Sequence, residues 1–223
     1  MKTYVYVDGF NLYYRALKAT RRNPRPGRKW LDLYKFVKRA MPAETDVQRI
    51  NYYTADISAI PDADAPKRQQ DYFKALGSIP CLRIHKGQFL VSRPMMYLDE
   101  SLTFSPKAKT PQDPPPRFAR VVKTEEKGTD VNLAVHLVRD AFAGEFEQAV
   151  VISNDTDLAE AIRIVTVEVG LPVYLIAGAS RQSATLIEQA TGIKYAERHI
   201  QRCQFPDTIT TADGETVTKP AGW

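Results

Sequence analysis

Cysteine is scarce in this chain: Cys81 and Cys203 are the only two among 223 residues. Two thiols far apart do not staple a small secreted scaffold, so both read as reduced side chains. Histidine is nearly as scarce, with three residues. None of His85, His136 and His199 has a second ligand at metal-binding spacing. No CxxC, HExxH, GxSxG or Walker-type glycine loop occurs, which argues against zinc proteases, serine hydrolases and P-loop NTPases. No apolar run approaches the ~18 residues that a membrane helix requires. The opening MKTYVYVDGF enters a strand at once and lacks the longer apolar stretch and small-residue cleavage site of a signal peptide. A cytoplasmic location with no membrane partner is therefore expected.

What remains is an ordinary globular composition, 43% hydrophobic and 26% charged, sized for one α/β domain with room for an insertion. Apolar β-type runs at 2–7, 47–55, 149–153 and 172–177 alternate with helical patterns at 11–19, 31–41, 65–76, 156–169 and 183–190. The segment 81–91 reads as a strand or hairpin edge, and 118–124 as a further strand. The clearest helix covers 130–142, where Val131, Ala134, Val135, Val138 and Phe142 recur at the spacing of an apolar face. This alternation predicts a three-layer α/β/α fold around a mostly parallel sheet. One domain is expected over 1–200. A proline-rich insertion near 92–118 carries Pro94, Pro106, Pro111, Pro114, Pro115 and Pro116. The Thr-rich tail 207–223 shows no core pattern and is expected to be flexible.

Against that frame the acids are unevenly placed. Asp8 follows the first strand in YVYVDGFN. Glu125, Glu126 and Asp130 cluster in TEEKGTDVNLA, and Asp155 with Asp157 in VVISNDTDL. Carboxylates just past buried strands lie at the carboxyl edge of the sheet, where open α/β folds bind ligands. Gathered there they repel one another unless protons or a cation neutralise them, and an oxygen-only set suits Mg²⁺ or Mn²⁺. Each acid also has a local explanation. Asp8 and Asp155 can cap the helices that follow them, Thr129 is a natural N-cap, and Asp130 sits in a first turn favoured by the helix dipole. Asn11 can cap as well, orient Asp8 or meet a phosphate, and Lys127 can neutralise the acids, contact a phosphate or face solvent.

The bases are grouped too. Lys18, Arg21, Arg22, Arg25, Arg28 and Lys29 fall in one acid-free stretch, and Lys107, Lys109, Arg117, Arg120 and Lys123 face only Asp113 in another. With a net charge of +5, acids at the site and bases in the loops fit an anionic polymer held through its phosphates. Solvated basic loops fit the same pattern. Tyr13, Tyr14 and Trp30 are available to stack unpaired bases, or to pack in the core.

The segments VDGFN, EKGTDVNLA and ISNDTDL, in this order and spacing, resemble the NYN-domain (LabA-like) family of PIN-like ribonucleases. YYTAD at 52–56 resembles that family's second-strand segment. The resemblance covers about 2–197, and it implies a PIN-like sheet and a divalent-metal nuclease acting on RNA. By position it makes Asp8, Asp130, Asp155 and Asp157 the acidic, Mg²⁺- or Mn²⁺-binding catalytic set, with Asn11, Ser153, Glu126 and Lys127 in support. Arg21, Arg22, Arg25, Arg28 and Lys29 become candidate RNA contacts. The expected function is a metal-dependent endoribonuclease acting on single-stranded RNA, with a homo-oligomer left open. Asn154 stands where the family often has glycine, and asparagine tolerates a left-handed backbone. His136 stands where the family often has another acid, so a catalytically weak RNA-binding or regulatory module is the alternative. His136 itself reads as a packed or surface side chain. An aspartate-nucleophile phosphatase fits less well, because Phe10 occupies the position of its second acid.

Overall fold

The protein was analysed as a computed structural model, which describes residues 1–18, 27–60, 62–98, 117–178, 181–211 and 213–223. The first strand, β1 (Lys2–Asp8), is buried along almost its whole length. Its side chains alternate between two cores, Tyr4 and Tyr6 on one face, Val5 and Val7 on the other. A strand with no solvated face needs helices on both sides, which is the condition for a parallel sheet.

The chain meets that condition in order. After β1 comes α1 (Gly9–Leu12), which continues as a π-helical segment over Tyr13–Leu17. Then follow α2 (Leu33–Ala40), β2 (Asp46–Thr54), α3 (Ala65–Gly77) and β3 (Leu82–Lys86). Short strands β4 (Gln88–Ser92), β5 (Met95–Tyr97), β6 (Phe118–Arg120) and β7 (Lys123–Lys127) form two antiparallel ribbons, β4 with β7 and β5 with β6. The second half has α4 (Thr129–Phe142), β8 (Gln148–Ile152), α5 (Ala159–Arg163), β9 (Val173–Ala177), α6 (Ala184–Gln189) and β10 (Gly192–Tyr195). Strands β11 (Thr208–Thr210) and β12 (Thr216–Thr218) close the chain as a hairpin.

Six strands make one parallel sheet in the order β10-β9-β8-β1-β2-β3. The strand order reverses between β1 and β8. In doubly wound sheets, that switch point opens the crevice at the carboxyl ends where ligands bind. Helices α2 and α3 cover one face with Leu33, Phe36, Tyr72 and Leu76. Helices α4 to α6 cover the other with Leu133, Leu137, Ile162 and Leu186. The fold is the expected three-layer α/β/α architecture.

Four expectations change. Helix α4 does not bury the predicted stripe, since Val131, Val135 and Phe142 are 65%, 56% and 64% exposed. It buries Leu133, Leu137 and Ala141 instead. The 81–91 stretch divides, β3 joining the parallel sheet and β4 leaving it for a ribbon with β7. The proline-rich insertion is flanked by those ribbons, and its residues 99–116 lie outside the described structure. The tail does not stand away from the domain: Val217 is buried and Trp223 packs its ring edgewise on Trp30 at 6.3 Å. Trp30 is fully buried in the first core and donates its indole N–H to Pro206 O at 2.9 Å, so it offers no face to a nucleobase. Among the described residues no helix is long and apolar enough to cross a membrane.

Candidate functional site

Asp8 ends β1 at the switch point and is buried. One carboxylate oxygen accepts the Asn11 backbone N–H at 2.9 Å and so caps α1. The other accepts the Ser153 hydroxyl at 2.8 Å, which ties β1 to the turn after β8. The next residue must be glycine: a Cβ on Gly9 would lie 2.6 Å from the Tyr52 ring and 2.8 Å from the Tyr53 carbonyl oxygen. Gly9→Ala is therefore expected to destabilise the protein by about 1–3 kcal/mol through overpacking. Urea denaturation checks this, and an unchanged midpoint would mean that Tyr52 yields freely.

The turn after β8 is braced on both sides. Asn11 accepts the Asn154 N–H through its side-chain oxygen at 3.0 Å. Asn154 in turn accepts the Ser183 N–H at 2.6 Å, and Gln182 donates to the Ser153 carbonyl. Asn154 thus serves through its amide. Every described residue with positive φ is a glycine, so the left-handed role suggested by the sequence is not used. Asp155 accepts the Asp157 N–H at 3.0 Å and caps the short 3-10 turn Thr156–Leu158. Gln182 and Ser183 carried no motif that could have marked them beforehand.

The third segment arrives from the ribbon. Glu126 on β7 accepts the Thr129 N–H at 2.8 Å and so caps α4. Gly128, with φ 93°, holds the cap position that Thr129 was expected to fill. Lys127 is exposed beside it. Asp130 lies three residues before Leu133 on the buried side of α4, which turns it toward the sheet edge. Neither Asp130 nor Asp157 has a side-chain hydrogen bond or ion pair among the described residues.

Electrostatically these acids form one group. The Asp130 carboxyl is pushed up to about 6, first by burial and then by the charges of Asp8, Asp155, Glu126 and Asp157. Burial also raises Asp8; the Asn11 N–H and the Ser153 hydroxyl oppose the rise, and Asp155 and Glu126 add to it. The sequence-predicted carboxylates thus share one field. They are not closed into a coordination shell: among the described residues, no three His, Cys, Asp or Glu side chains are spaced to hold a metal ion. Three of them, Asp8, Asp155 and Glu126, spend one oxygen on a local cap. The donor set is all oxygen, which fits a hard cation such as Mg²⁺ or Mn²⁺ in chemistry.

The NYN domain profile matches residues 2–196. The chain belongs to the NYN domain family. NYN membership carries the PIN-like nuclease class with it. A relative, 6-hydroxy-3-succinoylpyridine 3-monooxygenase of Pseudomonas putida, is 28% identical over 253 aligned residues covering 100% of this chain and 75% of its own. A solved structure of a Vibrio parahaemolyticus protein of unknown function aligns with a TM-score of 0.49 at 18% identity, covering 86% of this chain and 90% of that one.

In this NYN domain the expected RNA contacts are only partly visible. Arg21, Arg22 and Arg25 lie outside the described residues. Arg28 is held in an ion pair with Glu197 at 3.0 Å, and Lys29 sits over the Trp223 ring at 5.6 Å. His136 meets the Tyr53 hydroxyl at 3.0 Å through Nδ1. It packs there against the rings of Tyr53 and His85.

Proposed function

We propose that this NYN domain is a metal-dependent endoribonuclease that hydrolyses phosphodiester bonds of single-stranded RNA, using Mg²⁺ or Mn²⁺. The observation that carries the reading is the convergence of charge on Asp130, whose carboxyl is pushed up to about 6 by burial and the surrounding acids. Carboxylates brought into one field at the carboxyl edge of a parallel sheet mark a candidate site for a cation. Asp8, Asp130, Asp155 and Asp157 are the residues that would hold the cation. When bound, the cation supplies Lewis acidity toward the phosphodiester and lowers the pKa of water. Ser153 and Asn11 keep Asp8 and the turn after β8 in register. Exposed Lys127 and the basic stretch 18–29 supply phosphate contacts, with Tyr14, 58% exposed, available to stack a base.

The test is incubation of the purified protein with labelled single-stranded RNA, with Mn²⁺ or with EDTA. Cleavage that needs Mn²⁺ and stops in EDTA is the expected outcome. RNA retained but uncut in both arms would instead assign a binding or regulatory module, and sedimentation of the same sample reads its oligomeric state. A second reading rests on one observation: the Pseudomonas putida monooxygenase aligns along all of this chain, beyond the limit of the NYN match. Oxygen uptake that depends on 6-hydroxy-3-succinoylpyridine and an added electron donor, with RNA left intact, would favour it.

A further inference from the structure

Beside the acidic site, on the α2 and α3 face, lies a cavity of about 440 Å³. Pockets for small organic ligands typically span about 300–1,000 Å³. Its walls are aromatic: Phe10 and Tyr13 follow β1, Tyr52 comes from β2, Phe73 from α3, Phe89 from β4, and Trp223 from the end of the chain. Phe10 and Phe89 stack with centroids 6.3 Å apart, so the ribbon contributes a wall as well as the capping Glu126. Tyr52 is the ring that crowds Gly9. The cavity therefore reaches the residue next to Asp8.

Its charge has the opposite sign to the acidic site. Lys18, Lys29 and Arg68 all line it, and Asp62 is its single acidic side chain among the described residues. Asp62 is already engaged by Arg68 in an ion pair. Neither Lys18 nor Lys29 pairs with a carboxylate among the described residues. Each lies over a ring instead, Lys18 over Tyr14 at 4.8 Å and Lys29 over Trp223 at 5.6 Å. Burial, then Arg68 and Lys18, lower the Lys29 pKa, so three cations share one partly enclosed space. Flat π faces accept a planar ring, and the ammonium groups beside them, partly buried at Lys29 and exposed at Lys18, accept an anion.

We propose that this cavity binds a planar aromatic ring carrying one anionic group. The ligand's ring lies among Tyr52, Phe73 and Trp223, and its carboxylate or phosphate meets Lys29 and Lys18. Such chemistry has two sources, a free aromatic acid or the base and phosphate of a nucleotide. Calorimetric titration of the full chain in EDTA separates them and does not depend on the nuclease reading, because neither metal nor RNA is present. The probes are 2-naphthoate, the uncharged 2-naphthalenemethanol, and AMP. At least one anion is expected to bind about 10-fold or more tighter than the alcohol. Lys29→Met should remove that advantage while sparing the alcohol, and Trp223→Ala should weaken all binding. Tighter naphthoate identifies a free acid, tighter AMP a nucleotide. Absence of binding by both anions, or anion binding indifferent to Lys29→Met, overturns the proposal.

Discussion

Asp130→Asn is expected to abolish RNA cleavage and, in the absence of metal, to make the protein more stable. The loss of activity should be at least about 100-fold, roughly 2.7 kcal/mol of barrier. The gain in stability follows from the sign of the pKa shift. The folded Asp130 carboxyl lies at about 6 against an ordinary 3.8, so the folded state binds the proton more tightly than the unfolded state. The cost of ionisation is absent below about pH 4, grows between about 4 and 6, and is complete above that. Asparagine removes it. Asp130 is only half-buried, so solvent screening reduces the gain at pH 8 to about 1 kcal/mol, or about 2–4 °C in Tm for a chain of this length. The helix dipole acts the other way, because a first-turn acid contributes a few tenths of a kcal/mol. The net upward shift means that burial, with the neighbouring carboxylates, outweighs it. Melting curves in EDTA at pH 8 and pH 4 should show the variant ahead only at the higher pH. Mn²⁺ should then raise the Tm of the unsubstituted protein more than that of the variant. Equal melting at pH 8, or cleavage surviving in the variant, would remove Asp130 from the site.

Much of this arrangement was legible in the sequence. Runs such as YVYV and AVVI are apolar without alternation, the mark of strands buried on both faces, and acids just beyond them had to reach the sheet's carboxyl edge. The face of α4 was not legible. That helix carries two apolar stripes, Val131, Val135 and Phe142 on one side and Leu133, Leu137 and Ala141 on the other. Periodicity alone fits both. The deciding partner is distant: buried Asp140 accepts the Tyr6 hydroxyl at 2.8 Å, which fixes the face toward β1. The choice matters for function, because only the Leu133 side turns Asp130 toward Asp8. The acids were marked by position, and Asp8, Asp155 and Glu126 each cap a local turn, as the local reading of Asp8 and Asp155 expected. The aromatic cavity was not legible either. Its walls come from segments as far apart as Phe10 and Trp223, and no short motif joins them.

Trp30→Ala is expected to cost about 3–5 kcal/mol, a large share of the stability of an ordinary domain. The sequence offered Trp30 as a base-stacking residue, and the same chain end offered a tail without a core. Each is explained by the other. Trp30 has Phe205 at 5.9 Å and Trp223 at 6.3 Å around its ring, and its indole N–H reaches the Pro206 carbonyl. The tail hairpin had a signal that composition hid: Asp213-Gly214 between Thr-Ile-Thr and Thr-Val-Thr is a turn between alternating strands, and it turns Val217 into the core. Removing the indole takes away the surface on which Phe205 and Trp223 rest and leaves the Pro206 carbonyl without its donor. A base-stacking tryptophan would give the opposite phenotype, weaker RNA binding at unchanged stability. Urea denaturation of Trp30→Ala beside Tyr14→Ala discriminates the two roles. Trp30→Ala should lower the midpoint sharply and expose the tail to limited proteolysis, whereas Tyr14→Ala, truncating an exposed ring, should leave the midpoint almost where it was. A Trp30→Ala protein as stable as its parent would detach the tail from the core and withdraw Trp223 from any part in the cavity.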